Sequence, residues 1–127
     1  MAEESKPLSP GVRISALIVF LGIGLGAFGA HALPESANES TWKTGSLYHL
    51  LHGLALFVLA LTGEWPRRKV ARICWMIGIL LFSGSLYLLT FPDMPRWLGP
   101  VTPLGGLSFM VGWLAIVLTR EGPGKPV

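Results

Sequence analysis

Tyr48, His49 and His52 lie within five residues of one another, inside the stretch GSLYHLLHGLALF (45–57), whose other residues suit a lipid bilayer. Two histidines three apart share a helical face, a spacing compatible with joint ligation of a metal ion. His31, or a carboxylate from Glu35, Glu39 or Asp93, would be the third ligand. His52 beside Ser83 is a candidate base and nucleophile, and a pair of histidines facing each other would hold haem. Tyr48, Tyr87, His52 and Ser83 are also donors of the kind that hold a quinone carbonyl or a lipid phosphate. Each reading competes with a plainer one. Tyrosine, histidine and serine that hydrogen-bond across membrane helices fix their register, at about 0.6 kcal/mol per bond.

Elimination favours the plainer reading. No Asp, Glu, Lys or Arg lies inside an apolar span, with Arg13 and Arg72 only flanking. Intramembrane carboxylates are the usual relays of ion-coupled transporters, so their absence argues against one. No acid is placed to orient His52 toward Ser83, which removes the triad. The metal reading lacks soft ligands, and haem would have to recruit His31, which Pro34 follows closely. The expectation is a protein that is not an enzyme and has no metal or cofactor.

These residues must be positioned by membrane helices. Of 127 residues, 51% are hydrophobic and only 13% charged, against about a quarter charged in soluble domains. Apolar runs at 12–30, 44–62, 73–91 and 104–119 predict four transmembrane helices in a compact bundle, with tails at 1–11 and 120–127. The fourth run is short, and Thr102 with Pro103 suggests its cap and first position. Lys6, Arg13 and the AHA of 30–32 also resemble a leader and its cleavage site. The patterned glycines of the first run favour a retained span. Lys and Arg divide 8 to 2 between the two ends of such a bundle, which predicts that both termini are cytoplasmic. The net charge of +3 is thereby read as topology, not as nucleic-acid binding. Trp42 and Trp97 are expected at the outer interface, Trp65 and Trp75 at the inner one, and Trp113 deeper. Cys74, alone, excludes an internal disulfide.

On a helical wheel, Gly45, Tyr48, His49, His52, Leu56, Leu59 and Gly63 face one way. Leu47, Leu50, Leu51, Leu54, Phe57, Val58 and Leu61 face the other, toward lipid. In the first span Ser15, Gly22, Gly26 and Gly29 share a side, and Gly22-x3-Gly26-x3-Ala30 is a small-xxx-small pattern for close helix approach. Gly105, Ser108 and Gly112 repeat the theme in the fourth. With alternating span directions, His31, Tyr48, His49, His52, Ser83, Tyr87 and Ser108 converge on the outer half.

The motifs GAFGAHAL (26–33), W-x-T-x3-Y-x3-H-x-LAL (42–56), FSGSLY (82–87) and TPLGG followed by GW (102–113) resemble the domain-of-unknown-function 423 family. These are small bacterial inner-membrane proteins with mitochondrial relatives, and the resemblance runs from about Ser15 to Leu118. It implies a four-span inner-membrane protein and brings no activity or cofactor. His31, Trp42, Thr44, Tyr48, His52, Ser83, Gly84, Ser85, Tyr87, Pro103, Gly105 and Gly106 match the family pattern. Another polar residue, such as glutamine, stands at the position of His49 in that pattern, which argues against an indispensable metal ligand. The functional expectation is an accessory subunit that packs against itself or a larger membrane complex. The alternative is a binding module for a quinone, lipid headgroup or metal at the outer polar cluster.

Overall fold

The computed structural model describes residues 4–120, so most of the 120–127 tail lies outside the described residues. Four helices are long and apolar enough to cross a membrane: α1 (Pro10–His31), α2 (Glu39–Leu61), α3 (Arg68–Leu89) and α4 (Arg96–Val117). The helix ends follow local chemistry. Ser9 accepts from the Val12 amide at the start of α1, with Pro10 in the first turn. Asn38 Oδ1 accepts from the Thr41 amide at 3.1 Å, and Glu39 with Lys43 adds an i,i+4 pair in the first turn of α2. The helices therefore begin in polar residues, outside the apolar runs that predict them.

The fourth span is the clearest departure. It is not short, because a 3₁₀ turn at Arg96–Leu98 leads into the helix that continues from Val101. Thr102 is not its cap. Thr102 lies one residue inside, and its hydroxyl pairs with Ser85 of α3 at 2.5 Å. The third span is interrupted by a wide π turn at Ile79–Ser83, a departure that no residue preference announces.

Helices α1 and α2 pack on each other, as do α3 and α4, and α2 against α3 joins the two hairpins. Leu56, Leu59, Ala71, Trp75 and Phe109 form the buried apolar core between α2, α3 and α4. Packing depends on bulky groups seated over glycines. The Trp42 ring covers Gly29, Phe109 covers Gly78, and Trp75 covers Gly112. At Gly105 the approach is backbone to backbone, since a Cβ there would lie 2.7 Å from the Phe82 Cα, within the π turn.

This packing buries two of the tryptophans. Trp42 and Trp75 are 5% and 2% exposed, because each fills a glycine gap. The glycine stripe of α1 is split as well. Ser15, Gly22 and Gly29 are buried against α2, a spacing of seven, while a Cβ on Gly24 or Gly26 would meet nothing within 4 Å. Gly26 thus lies off the interface that Gly22 makes.

The end at which α1 begins and α4 ends is stitched by polar groups. Arg68 donates from Nε and Nη2 to the Leu59 carbonyl at 3.2 and 3.0 Å, closing α2. Arg67, in the left-handed region at φ 64°, donates to the Leu118 carbonyl at 2.6 Å.

Gly105→Leu is expected to cost about 3 kcal/mol through overpacking against a backbone that cannot yield. Gly24→Leu should stay within about 0.5 kcal/mol. Reversible unfolding in detergent measures both, and equal losses would contradict the packing account.

Candidate functional site

The two histidines of α2 are the centres of two separate polar systems that lie side by side on one face of the helix. The first joins α1, α2 and α3. His49, 6% exposed, approaches the Ile18 carbonyl of α1 through Nε2 at 2.9 Å and the Tyr87 hydroxyl of α3 through Nδ1 at 3.0 Å. A carbonyl only accepts, so Nε2 carries the proton and Tyr87 donates to Nδ1. The His49 ring also lies over Gly22, whose missing side chain admits it.

The second system joins α2 to α4. His52, 2% exposed, donates from Nδ1 to the Tyr48 carbonyl at 2.9 Å and accepts at Nε2 from Trp113 Nε1 at 3.0 Å. Its ring stacks on Phe109 with centroids 3.6 Å apart. Trp113 in turn packs on Trp75 at 4.4 Å. The two histidines are therefore fixed in opposite tautomers, and all four ring nitrogens are engaged.

That engagement limits the chemistry. Neither ring has a lone pair left for a metal ion or for general-base work unless a cross-helix bond is first broken. Among the described residues no three His, Cys, Asp or Glu side chains come together.

The predicted convergence is realised only in part. His49 meets Tyr87, and Ser83 is buried close by, its backbone oxygen beside Gly45. His31 is exposed at the end of α1, lining a surface hollow with Pro34 and Glu35, and has no hydrogen bond to either system. Ser108 belongs elsewhere too, donating to the Cys74 carbonyl of α3 at 2.7 Å. Tyr48 is 37% exposed at the flank of α2, its ring against Phe82 at 4.7 Å. With Leu51, Phe82, Leu107, Met110 and Trp113 it lines an open, mostly apolar groove of about 570 Å³. His52 is bonded to Tyr48 and Trp113, and no hydrogen bond joins it to the Ser83 hydroxyl.

Sequence reasoning missed Trp42 and Trp113. Trp42 Nε1 donates to the Leu25 carbonyl of α1 at 2.8 Å, and its ring packs on Tyr87 at 4.6 Å. The depth of Trp113 was the available signal, since an indole N–H within a bilayer needs an acceptor and His52 is the acceptor of matching depth.

A model of the family described as Protein of unknown function (DUF423) matches residues 25–106. The chain belongs to this family. A UPF0382 membrane protein of Staphylococcus epidermidis is 38% identical over 112 residues, covering 84% of this chain and 91% of that one. The UPF0382 membrane protein YwdK of Bacillus subtilis is 40% identical, covering 84% and 92%. A fission-yeast relative, UPF0382 membrane protein C1782.12c of Schizosaccharomyces pombe, is 32% identical, covering 84% and 97%. No solved structure matches. The DUF423 match and these relatives agree with four apolar helices in describing a small multi-pass membrane protein. The DUF423 segment contains both histidines and Tyr87, and Trp113 lies beyond it.

Tyr87→Phe is expected to cost between about 0.6 and 1.7 kcal/mol by deleting the donor to His49. Tyr48→Phe, which keeps its ring contacts, should change stability by less than about 0.5 kcal/mol. A double-mutant cycle on His52→Leu and Trp113→Phe should show coupling of about 0.6 to 1.7 kcal/mol. Strictly additive losses would contradict the His52–Trp113 bond.

Proposed function

We propose that this chain is a non-enzymatic interaction subunit of the membrane, with both termini cytoplasmic and with α1 as its contact helix for a second copy or a larger complex. The observation that carries the reading is the open side of α1. The helix is held to α2 through Ser15, Gly22 and Gly29, and a Cβ on its Gly24 or Gly26 would meet nothing within 4 Å. Glycine on a lipid-facing surface contributes no side chain to lipid, whereas it lets another helix backbone come close. The inward polar groups support the same reading, because His49, His52, Tyr87 and Trp113 are spent on one another. The 8 to 2 division of Lys and Arg supports the orientation and an inner-membrane location.

The two glycine faces make the test selective. Gly26→Leu should leave the folded chain as stable as before and abolish its assembly, while Gly22→Leu, which would collide with Leu50 and His49, should lower stability itself. Native mass spectrometry of protein extracted gently from its own membranes reads the assembly. A lone chain at natural abundance, unchanged by Gly26→Leu, would sink the proposal.

A second reading is favoured by the groove beside Tyr48. Its aromatic wall of Phe82, Phe109 and Trp113 suits a flat ring such as a quinone head, with the Tyr48 phenol as donor. The same spectra test it, since a stoichiometric extra mass removed by Leu107→Trp would favour this reading over the first.

A further inference from the structure

Between α1 and α3, at the end where α1 begins and α4 ends, the helices leave a crevice of about 300 Å³ floored by α2. Ile14 and Ile18 of α1 form one wall, Met76 the other, and Leu56 and Leu59 the floor. It reaches from Pro10 to Ile18, about 12 Å along α1 at the helical rise. Two cations, Arg68 and Arg72, stand among its lining residues. Their situations differ. Arg68 is consumed by the Leu59 carbonyl and by Glu64. Arg72 is exposed and belongs to neither ion pair found among the described residues, Lys43–Glu39 and Arg68–Glu64.

We propose that this crevice is a binding site for one anionic phospholipid, with an acyl chain between α1 and α3 and the phosphate on Arg72. Three observations converge on that occupant. The walls are aliphatic and open laterally, so a hydrocarbon chain enters from the bilayer without crossing water. The uncommitted cation begins the second turn of α3, one turn beyond Arg68, near the depth where a span ends and headgroups begin. The surrounding charge is one-sided. The segments at this end carry Lys6, Arg13, Arg67, Lys69 and Arg120 besides, against Glu4 and the already paired Glu64 among the described residues. Basic pockets between membrane helices recognise anionic headgroups, at roughly a fivefold gain in affinity per well-placed cation. A bound lipid would occupy the space that α1 and α3 leave between them, tying α1 to the rest of the bundle.

Full-length protein in detergent, titrated with phosphatidylglycerol, with phosphatidylcholine of the same chains or with inorganic phosphate, supplies the test. Native mass spectrometry counts the lipid retained. One phosphatidylglycerol per chain should be held in preference to phosphatidylcholine. Arg72→Gln should weaken its retention about fivefold, Arg72→Lys should restore most of it, and Lys69→Gln, which removes the same charge beside the crevice, should change little. Ile14→Trp, which narrows the wall and touches no charge, should weaken retention as well. Equal retention of phosphatidylcholine, or a Lys69→Gln loss as large as that of Arg72→Gln, would overturn the site in favour of unselective surface attraction. Displacement by inorganic phosphate at matched concentration would overturn it by showing that the acyl chain is not gripped.

Discussion

Helices inside a bilayer gain nothing from hiding apolar surface, because lipid is as apolar as they are. What remains is close packing, and in this fold close packing means a bulky group on one helix and a glycine on the next. Trp42 over Gly29, Phe109 over Gly78, Trp75 over Gly112 and the Phe82 backbone over Gly105 are four instances of one arrangement. Between them they hold α1 to α2 and α3 to α4. The wide turn at Ile79–Ser83 belongs to the same scheme, since it contains the stretch of α3 backbone that approaches Gly105.

The polar groups act on top of that framework. Once the glycine gaps have brought the helices together, His49 and His52 each join two polypeptide segments by using one nitrogen as donor and the other as acceptor. A histidine used in this way is a two-ended strut. It fixes rotation as well as separation, because both ends are directional. This accounts for finding titratable rings at membrane depth without assigning them catalysis, and it leaves α1, fastened along one narrow face, as the element with the most surface to offer.

Much of this was legible in the sequence, for definite reasons. Four apolar runs announce four helices because a bilayer admits few other solutions. The wheel correctly turned His49, His52, Leu56 and Leu59 inward and Leu47, Leu51, Leu54, Val58 and Leu61 outward, since a 3.6-residue period needs no knowledge of neighbours. A wheel cannot say which helix lies opposite, however. It therefore merged two polar systems into one cluster, joined Gly26 to the face of Gly22, and gave no sign that Trp42 and Trp75 are buried over glycines. Helix starts were misplaced at α2, α3 and α4 because hydropathy sees the apolar part of a span and not the more polar turn before it. The π turn had no signal, as its cause is tertiary.

The order of contacts along the chain has a consequence for how the protein is made. Each close pair, α1 with α2 and α3 with α4, joins consecutive spans, so each hairpin is complete as soon as its second helix leaves the insertion machinery. The bonds from α2 to Tyr87 and Trp113 are of another kind, bridging 38 and 61 residues. They close only when the second hairpin arrives beside the first. Until that moment the acceptor nitrogens of His49 and His52 stand in the bilayer unpaired, their donor nitrogens already engaged by the carbonyls of Ile18 and Tyr48, and the cost of leaving them so is a driving force for the two halves to find each other. Biogenesis thus has two tiers, with local zippering by shape followed by docking through polar recognition.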